Sequence, residues 1–167
     1  MQSNHIRYSR KSLRLKHYDY SSSGAYFITL CINHRALLLG EIKDGKINPN
    51  HAGAMVTYWF NKLEQKFTDI KCDIFVCMPN HIHFILHKTA NTNVPVSNLG
   101  TVIQWFKTMT TNDYIRGVKN HHWPSFKGKL WQRNYWERII RNEQELQKIR
   151  EYILNNPTQW ELDKYSS

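Results

Sequence analysis

Only three of the 167 residues are cysteines (Cys31, Cys72 and Cys77), and no two of them form a Cys-x-x-Cys pair. That spacing excludes a zinc ribbon. An odd trio in apolar, strand-like stretches reads as small core residues of a protein kept reduced. Long apolar runs are missing as well. Stretches such as Tyr26–Ile32 and Ile82–Leu86 fall far short of the roughly 20 residues that a membrane-crossing helix needs. Met1–Tyr20 lacks the apolar centre of a secretion signal, so the expected location is the cytoplasm. Acidic residues are scarce: 13 Asp and Glu against 23 Lys and Arg give a formal net charge of +10 with His neutral. Such a balance favours a polyanionic partner, because basic side chains release counterions from phosphates and steer encounter.

What is present points to one folded domain. The chain is 41% hydrophobic and 13% aromatic, too rich for intrinsic disorder, and its length suits a single core. Six Trp, nine Tyr and seven Phe are enough to offer stacking platforms for bases.

Residues 1–20 are polar, with Arg7, Arg10, Lys11, Arg14 and Lys16 against the single acid Asp19, and read as a basic arm. Residues 21–160 form the domain and 161–167 a short tail. The β-formers of Ala25–Asn33 predict a strand. Leu37–Ile42 predicts a second, and the Asp44–Gly45 turn brings Lys46–Ile47 back onto it. Met55, Trp59, Leu63 and Phe67 recur at four-residue steps after Asn50, which predicts one amphipathic helix with an N-cap. In Lys71–Met78, Cys72, Ile74 and Val76 alternate with Asp73, Phe75 and Cys77, as in a strand buried on both faces. Pro79–Asn80 turns the chain into an antiparallel partner, His81–His87. After a polar loop, Thr89–Val96, a helix is expected over Val102–Tyr114. A loop, Lys119–Lys129, then leads into a strand over Leu130–Ile140. A last helix runs from Glu143 to Asn155, with Asn142 and Glu145 in the capping-box spacing and Pro157 as its stop. The order β–β–α–β–β–α–β–α predicts an α+β fold, a mostly antiparallel sheet with helices packed on one face.

Two segments carry candidate chemistry. In a strand, His81 and His83 point to one face about 7 Å apart at Cα, while Ile82, Phe84 and Leu86 face an apolar layer. Two imidazoles on one rigid face can reach a single divalent ion; the plain alternative is a half-exposed pair on a strand edge. Tyr152 and Asn156 lie one helical turn apart on one flank. Taken alone, the pair reads first as packing at the core boundary for Tyr152 and a C-cap before proline for Asn156. If that helix covers the histidine face, Asn156 adds a carbonyl oxygen to the ion and Tyr152 projects beside it. Two imidazoles and an amide leave coordination positions open for phosphate oxygens, and a tyrosine hydroxyl next to that phosphate is a potential nucleophile.

Pro-Asn-His-x-His within a strand, Leu-Trp-Gln-Arg-x-Tyr-Trp-Glu-Arg-x-Ile-Arg over Leu130–Arg141, and Tyr-Ile-x-x-Asn-Pro over Tyr152–Pro157 come in this order. Together they resemble the REP-associated tyrosine transposases, single-tyrosine members of the HUH class (His, hydrophobic, His) that act on single-stranded DNA. The resemblance spans about Ser21 to Trp160. Asn at four residues past the tyrosine matches that branch, whereas relatives in single-strand insertion sequences tend to carry Gln. The resemblance implies a ferredoxin-like fold, with His81, His83 and Asn156 as metal ligands, Tyr152 as nucleophile and Mg²⁺ or Mn²⁺ as cofactor. It implies cleavage of hairpin-flanked single-stranded DNA through a 5′-phosphotyrosine and rejoining without ATP, by a monomer or homodimer.

Arg133, Arg138 and Arg141, with Arg14 and Lys16 of the arm, are candidates for DNA phosphate contact, while Trp131 and Trp136 read as packing. Tyr135 is the rival nucleophile, although no polar partner lies one turn away. His121 and His122, in a loop, read as solvated. Two other functions compete. One is a non-catalytic single-stranded nucleic-acid-binding module, which has no need of a nucleophile beside a metal site. The other is a zinc-dependent hydrolase, for which no Glu or Asp stands in the motif as general base.

Overall fold

The computed structural model describes residues 23–89 and 96–160. The basic arm with Arg14 and Lys16, and the tail, lie outside the described residues. β1 (Gly24–Cys31) is the central strand. It pairs antiparallel with β5 (His81–Lys88) on one side and β6 (Trp136–Ile140) on the other. β4 (Ile70–Cys77) joins the far edge of β5, so the strand order is β4-β5-β1-β6, antiparallel throughout. β2 (Gly40–Lys43) and β3 (Lys46–Pro49) form a separate hairpin. Positive φ at Asp44 and Gly45, 52° and 69°, closes it with the turn that fits strand twist. With α1 (His51–Asn61) between β1 and β4, and α3 (Leu99–His121) between β5 and β6, the frame is the βαββαβ ferredoxin-like arrangement.

Strand alternation sorts the side chains into two layers. Tyr26, Ile28 and Leu30 of β1 and Ile82, Phe84 and Leu86 of β5 meet Val56 and Phe60 of α1 and Val102 and Phe106 of α3 in the main core. Phe84 sits between Phe60 and Phe106, with ring centroids 5.4 and 6.2 Å away, so Phe84→Ala costs about 3–5 kcal/mol. On the other face Phe27, Ile85 and Ile140 meet Leu146, Ile149 and Ile153 of α4 (Glu143–Asn155). Helices therefore cover both faces of the sheet, not one. Among the described helices, α4, which carries Tyr152, is the one packed on that face.

Other elements also depart from the sequence pattern. The helix expected from Asn50 through Phe67 breaks at Lys62, whose N–H tightens onto the Trp59 carbonyl, and resumes as the short α2 (Leu63–Lys66). α3 is nearly twice as long as expected. Its last turns pack Tyr114 and Gly117 against Trp123, which lies just beyond the helix end. A Cβ on Gly117 would lie 2.2 Å from the Trp123 ring, which is why glycine stands there. The Leu130–Ile140 strand reduces to β6. Leu130 and Trp131 are buried, and Trp131 makes only an isolated bridge to Ile32. The expected second strand at Leu37–Ile42 starts later, at Gly40, after a 3₁₀ turn at Asn33–Arg35. In β4 an extra residue between Cys72 and Phe75 breaks the alternation: those two side chains face the main core, while Ile74 faces the other cluster. Among the described residues no helix is long and apolar enough to cross a membrane.

Candidate active site

His81 and His83 lie on β5 inside the sheet, between β1 and β4, and are 0% and 1% exposed. That removes the reading of a half-exposed pair on an edge. Each imidazole is oriented by an oxygen on its Nδ1. Asn80 Oδ1 is 2.7 Å from His81 Nδ1, and Thr29 Oγ1, directly across the β1–β5 ladder, is 2.8 Å from His83 Nδ1. Asn80 is itself oriented, because its Nδ2 donates to the Arg35 carbonyl and leaves Oδ1 facing the ring. An amide oxygen only accepts, so His81 Nδ1 carries a proton, and in the neutral ring that leaves Nε2 as the acceptor.

The two Nε2 atoms converge at 3.0 Å. The Thr29 hydroxyl can donate or accept, so at that separation either His83 Nε2–H donates to His81 Nε2 or both nitrogens face a shared cation. Adjacent ligands of an octahedral ion with bonds near 2.1 Å are separated by about 3.0 Å. Among the described residues no third His, Cys, Asp or Glu joins the pair. The third candidate donor is Asn156 at the end of α4: it is 2% exposed, and its Oδ1 is buried without a hydrogen-bond partner. A buried amide oxygen left unpaired costs about 1–3 kcal/mol, and a cation would remove that cost. These residues fit a divalent ion with N and O ligands.

α4 is built to reach this point. Asn142 Oδ1 accepts from the Glu145 N–H at 2.8 Å, and Glu145 Oε2 accepts from the Arg141 N–H at 2.9 Å, one residue upstream of the expected reciprocal bond. The buried Leu146, Ile149 and Ile153 then set the rotation of the helix. Tyr152 lands with its ring 5.5 Å from that of His83 and 6.0 Å from that of Phe27, and it remains 39% exposed. Beyond the helix, Trp160 stacks on His81 at 6.0 Å, so the segment holding Asn156 runs from one histidine to the other. A hydroxyl, two imidazole nitrogens and an unpaired amide oxygen are thereby gathered at one end of the sheet. That set can position a phosphate and attack it.

The remaining candidates are dispersed. Tyr135 packs against the main core under the Lys107 ammonium, 5.5 Å from the ring centre, away from the histidine face. Arg138 projects from β6 on the α4 side and pairs with Glu145 at 2.6 Å, half in solvent. Arg141, exposed just before α4, donates its N–H to the same Glu145, whereas the Arg133 carbonyl takes a bond from Lys107. His121 and His122 are exposed, as expected. Burial pushes the Cys72 and Cys77 thiols up to about 12, as suits inert core cysteines. Trp131 is buried, with its Nε1–H donated to Thr110, whereas Trp136 packs edge-on to Phe27 beside the site and is 39% exposed. Sequence reasoning missed Thr29, Phe27 and the role of Asn80. Asn80 had a signal, its place in the turn just before His81; the other two are found only through strand register.

The profile of the family described as "Transposase IS200 like" matches residues 25–156. An uncharacterized protein of Haemophilus influenzae is 36% identical over 165 residues, spanning 93% of this chain and 92% of that one. A second protein of that organism, named as a candidate REP-associated tyrosine transposase, is 22% identical over 149 residues, 83% of this chain and 73% of its own. Among solved structures, a REP-associated tyrosine transposase bound to a REP hairpin superposes with a TM-score of 0.62 at 20% identity. The match covers 89% of this chain and 74% of that one. A candidate transposase of Deinococcus radiodurans gives 0.52 at 16% identity, over 85% and 95%. With the family profile matched over most of its length, the chain belongs to the IS200-like transposases.

Proposed function

We propose that this chain cleaves and rejoins single-stranded DNA beside a hairpin through a covalent bond between Tyr152 and a 5′-phosphate. The observation that carries the reading is the placement of Tyr152 against His83, whose Nε2 lies 3.0 Å from that of His81. The family and a structural neighbour bound to a REP hairpin support the substrate class. His81, His83 and Asn156 would hold Mg²⁺ or Mn²⁺, which supplies Lewis-acid charge to the phosphate oxygens.

The tyrosine does the bond-making. Its Oη attacks phosphorus, the P–O3′ bond breaks, and the phenolic proton ends on the departing 3′ oxygen. A 5′-phosphotyrosine and a free 3′-OH remain. When a strand 3′-OH attacks that ester the bond energy is conserved, so joining needs no ATP. A free phenol with a pKa near 10 is a poor nucleophile at neutral pH. Orientation is therefore the main contribution, and the Phe27 and His83 rings restrict where Tyr152 points. Arg133, Arg138 and Arg141, with Arg14 and Lys16, serve as phosphate contacts that hold the strand in register. Tyr152 meets His83 of its own chain, which favours a monomer over a homodimer that exchanges tyrosine helices.

The test is incubation with a pool of single-stranded hairpin oligonucleotides and Mn²⁺, followed by a denaturing gel. A covalent adduct that disappears with Tyr152→Phe and with EDTA is expected. An adduct that survives Tyr152→Phe moves the nucleophile to Tyr135 or elsewhere. Tight, salt-sensitive binding with no adduct in any divalent ion makes the chain a binding module.

A further inference from the structure

Trp136 opens β6 at the edge of the sheet, where it pairs in register with Thr29, the residue whose hydroxyl meets His83. Its indole stands edge-on to Phe27, with centroids 5.4 Å apart and the planes at 76°. Tyr152 stands edge-on to the same ring, at 6.0 Å and 80°. Phe27 is 6% exposed, and the two rings raised on it are each 39% exposed. A buried phenyl is thus the common floor of two solvent-facing aromatics, one of which bears the candidate nucleophile.

The buried tryptophan of this chain shows what packing alone looks like. Trp131 is 4% exposed, and its Nε1–H is spent on Thr110 at 2.8 Å. Trp136 instead keeps a large aromatic surface in water, on a rigid strand, at the end of the sheet where the histidines converge. Flat apolar surface held in place beside a phosphate-handling site suits a nucleobase, which stacks on indole whatever its identity.

We propose that Trp136, seated on Phe27, forms a nucleobase-stacking subsite beside Tyr152 that holds the base of a nucleotide adjoining the scissile phosphate. This rests on the reading of the chain as a single-stranded DNA transposase. It assigns a role to a side chain outside the histidine, asparagine and tyrosine set. Stacking there restrains the sugar–phosphate next to the base, so the subsite positions the phosphorus for Tyr152 and also adds affinity.

The experiment is an abasic scan. A hairpin oligonucleotide with an unpaired flank, retained by the protein from a randomised pool, is remade with a single abasic site at each flank position. Equilibrium binding is measured for the wild type, Trp136→Ala and Trp136→Phe, with adduct formation followed in parallel. Wild type should lose about 5- to 100-fold in affinity at one position, the range expected for one stacked base. Trp136→Ala should show the same loss on the intact strand and no further loss at that position, and Trp136→Phe should recover part of it. Losses from Trp136→Ala and from the abasic site that multiply at every position overturn the proposal. So does a Trp136→Ala protein that binds the intact strand as wild type does. The binding arm does not depend on chemistry: a wild type that shows the single-position loss yet forms no adduct refutes the transposase mechanism and leaves the stacking subsite standing.

Discussion

The Asp73 carboxylate on β4 accepts a forked pair of hydrogen bonds from the Arg150 guanidinium on α4, from Nε at 3.1 Å and Nη2 at 2.6 Å, and a third bond from His87 Nε2 at 2.8 Å. Arg150 precedes Tyr152 by two residues, so this clamp ties the tyrosine helix to the sheet. The irregularity in β4 bears on this: strict alternation counted back from Phe75 would put Asp73 on the main-core face, whereas Asp73 follows the alternation set by Cys72 and faces α4.

Burial pushes the Asp73 carboxyl up, but the bonds from Arg150 and His87 outweigh it and hold the group below its ordinary 3.8. A depressed folded-state value contributes stability above the unfolded value, and that contribution is lost as pH falls through the folded one. Asp73→Asn should therefore cost about 2 kcal/mol at neutral pH. The difference from wild type should shrink as pH drops below 3.8, the carboxyl's ordinary value. Urea titrations from neutral to acid pH measure it, and a gap independent of pH would count against the clamp.

Asn80 makes a separate prediction. Its Oδ1 fixes the His81 tautomer, so Asn80→Ala should weaken Mn²⁺ binding by about 10- to 100-fold, as loss of an outer-shell partner does. Titration calorimetry with Mn²⁺ gives the number, and thermal melts without metal check that the variant folds. Unchanged Mn²⁺ affinity would mean that the histidine pair does not hold the ion.

Tyr152 and His83 of one chain are in ring contact. Mixing Tyr152→Phe with His83→Ala should then yield no adduct, since neither copy owns a complete site. Restored adduct would mean that the tyrosine helix of one copy serves the histidines of another.

Lys107 donates to the Gln132 and Arg133 carbonyls at 2.9 and 3.3 Å, and burial lowers its ammonium from 10.5 to about 8. Amine labelling read by mass spectrometry should show Lys107 reacting with a midpoint near pH 8, below the ordinary lysine range. A midpoint near 10 would show that the ammonium is well hydrated.

Some of this was legible along the chain because it is periodic. His81 and His83 share a face through the two-residue period of a strand, and Tyr152 and Asn156 share a flank through the helical turn. Asn142 caps α4 from a purely local pattern. The antiparallel α+β layout also follows from the order of elements.

The tertiary structure alone decided that α4 takes the opposite face from α1 and α3, because its apolar stripe fits either side of a sheet that is apolar on both. It alone made neighbours of Thr29 and His83, 54 residues apart in sequence, and of Phe27, Trp136 and Tyr152. The local pattern records which residues share a face; register and sheet order decide which faces meet. Those depend on contacts between distant segments, and no period of two or of 3.6 residues encodes them.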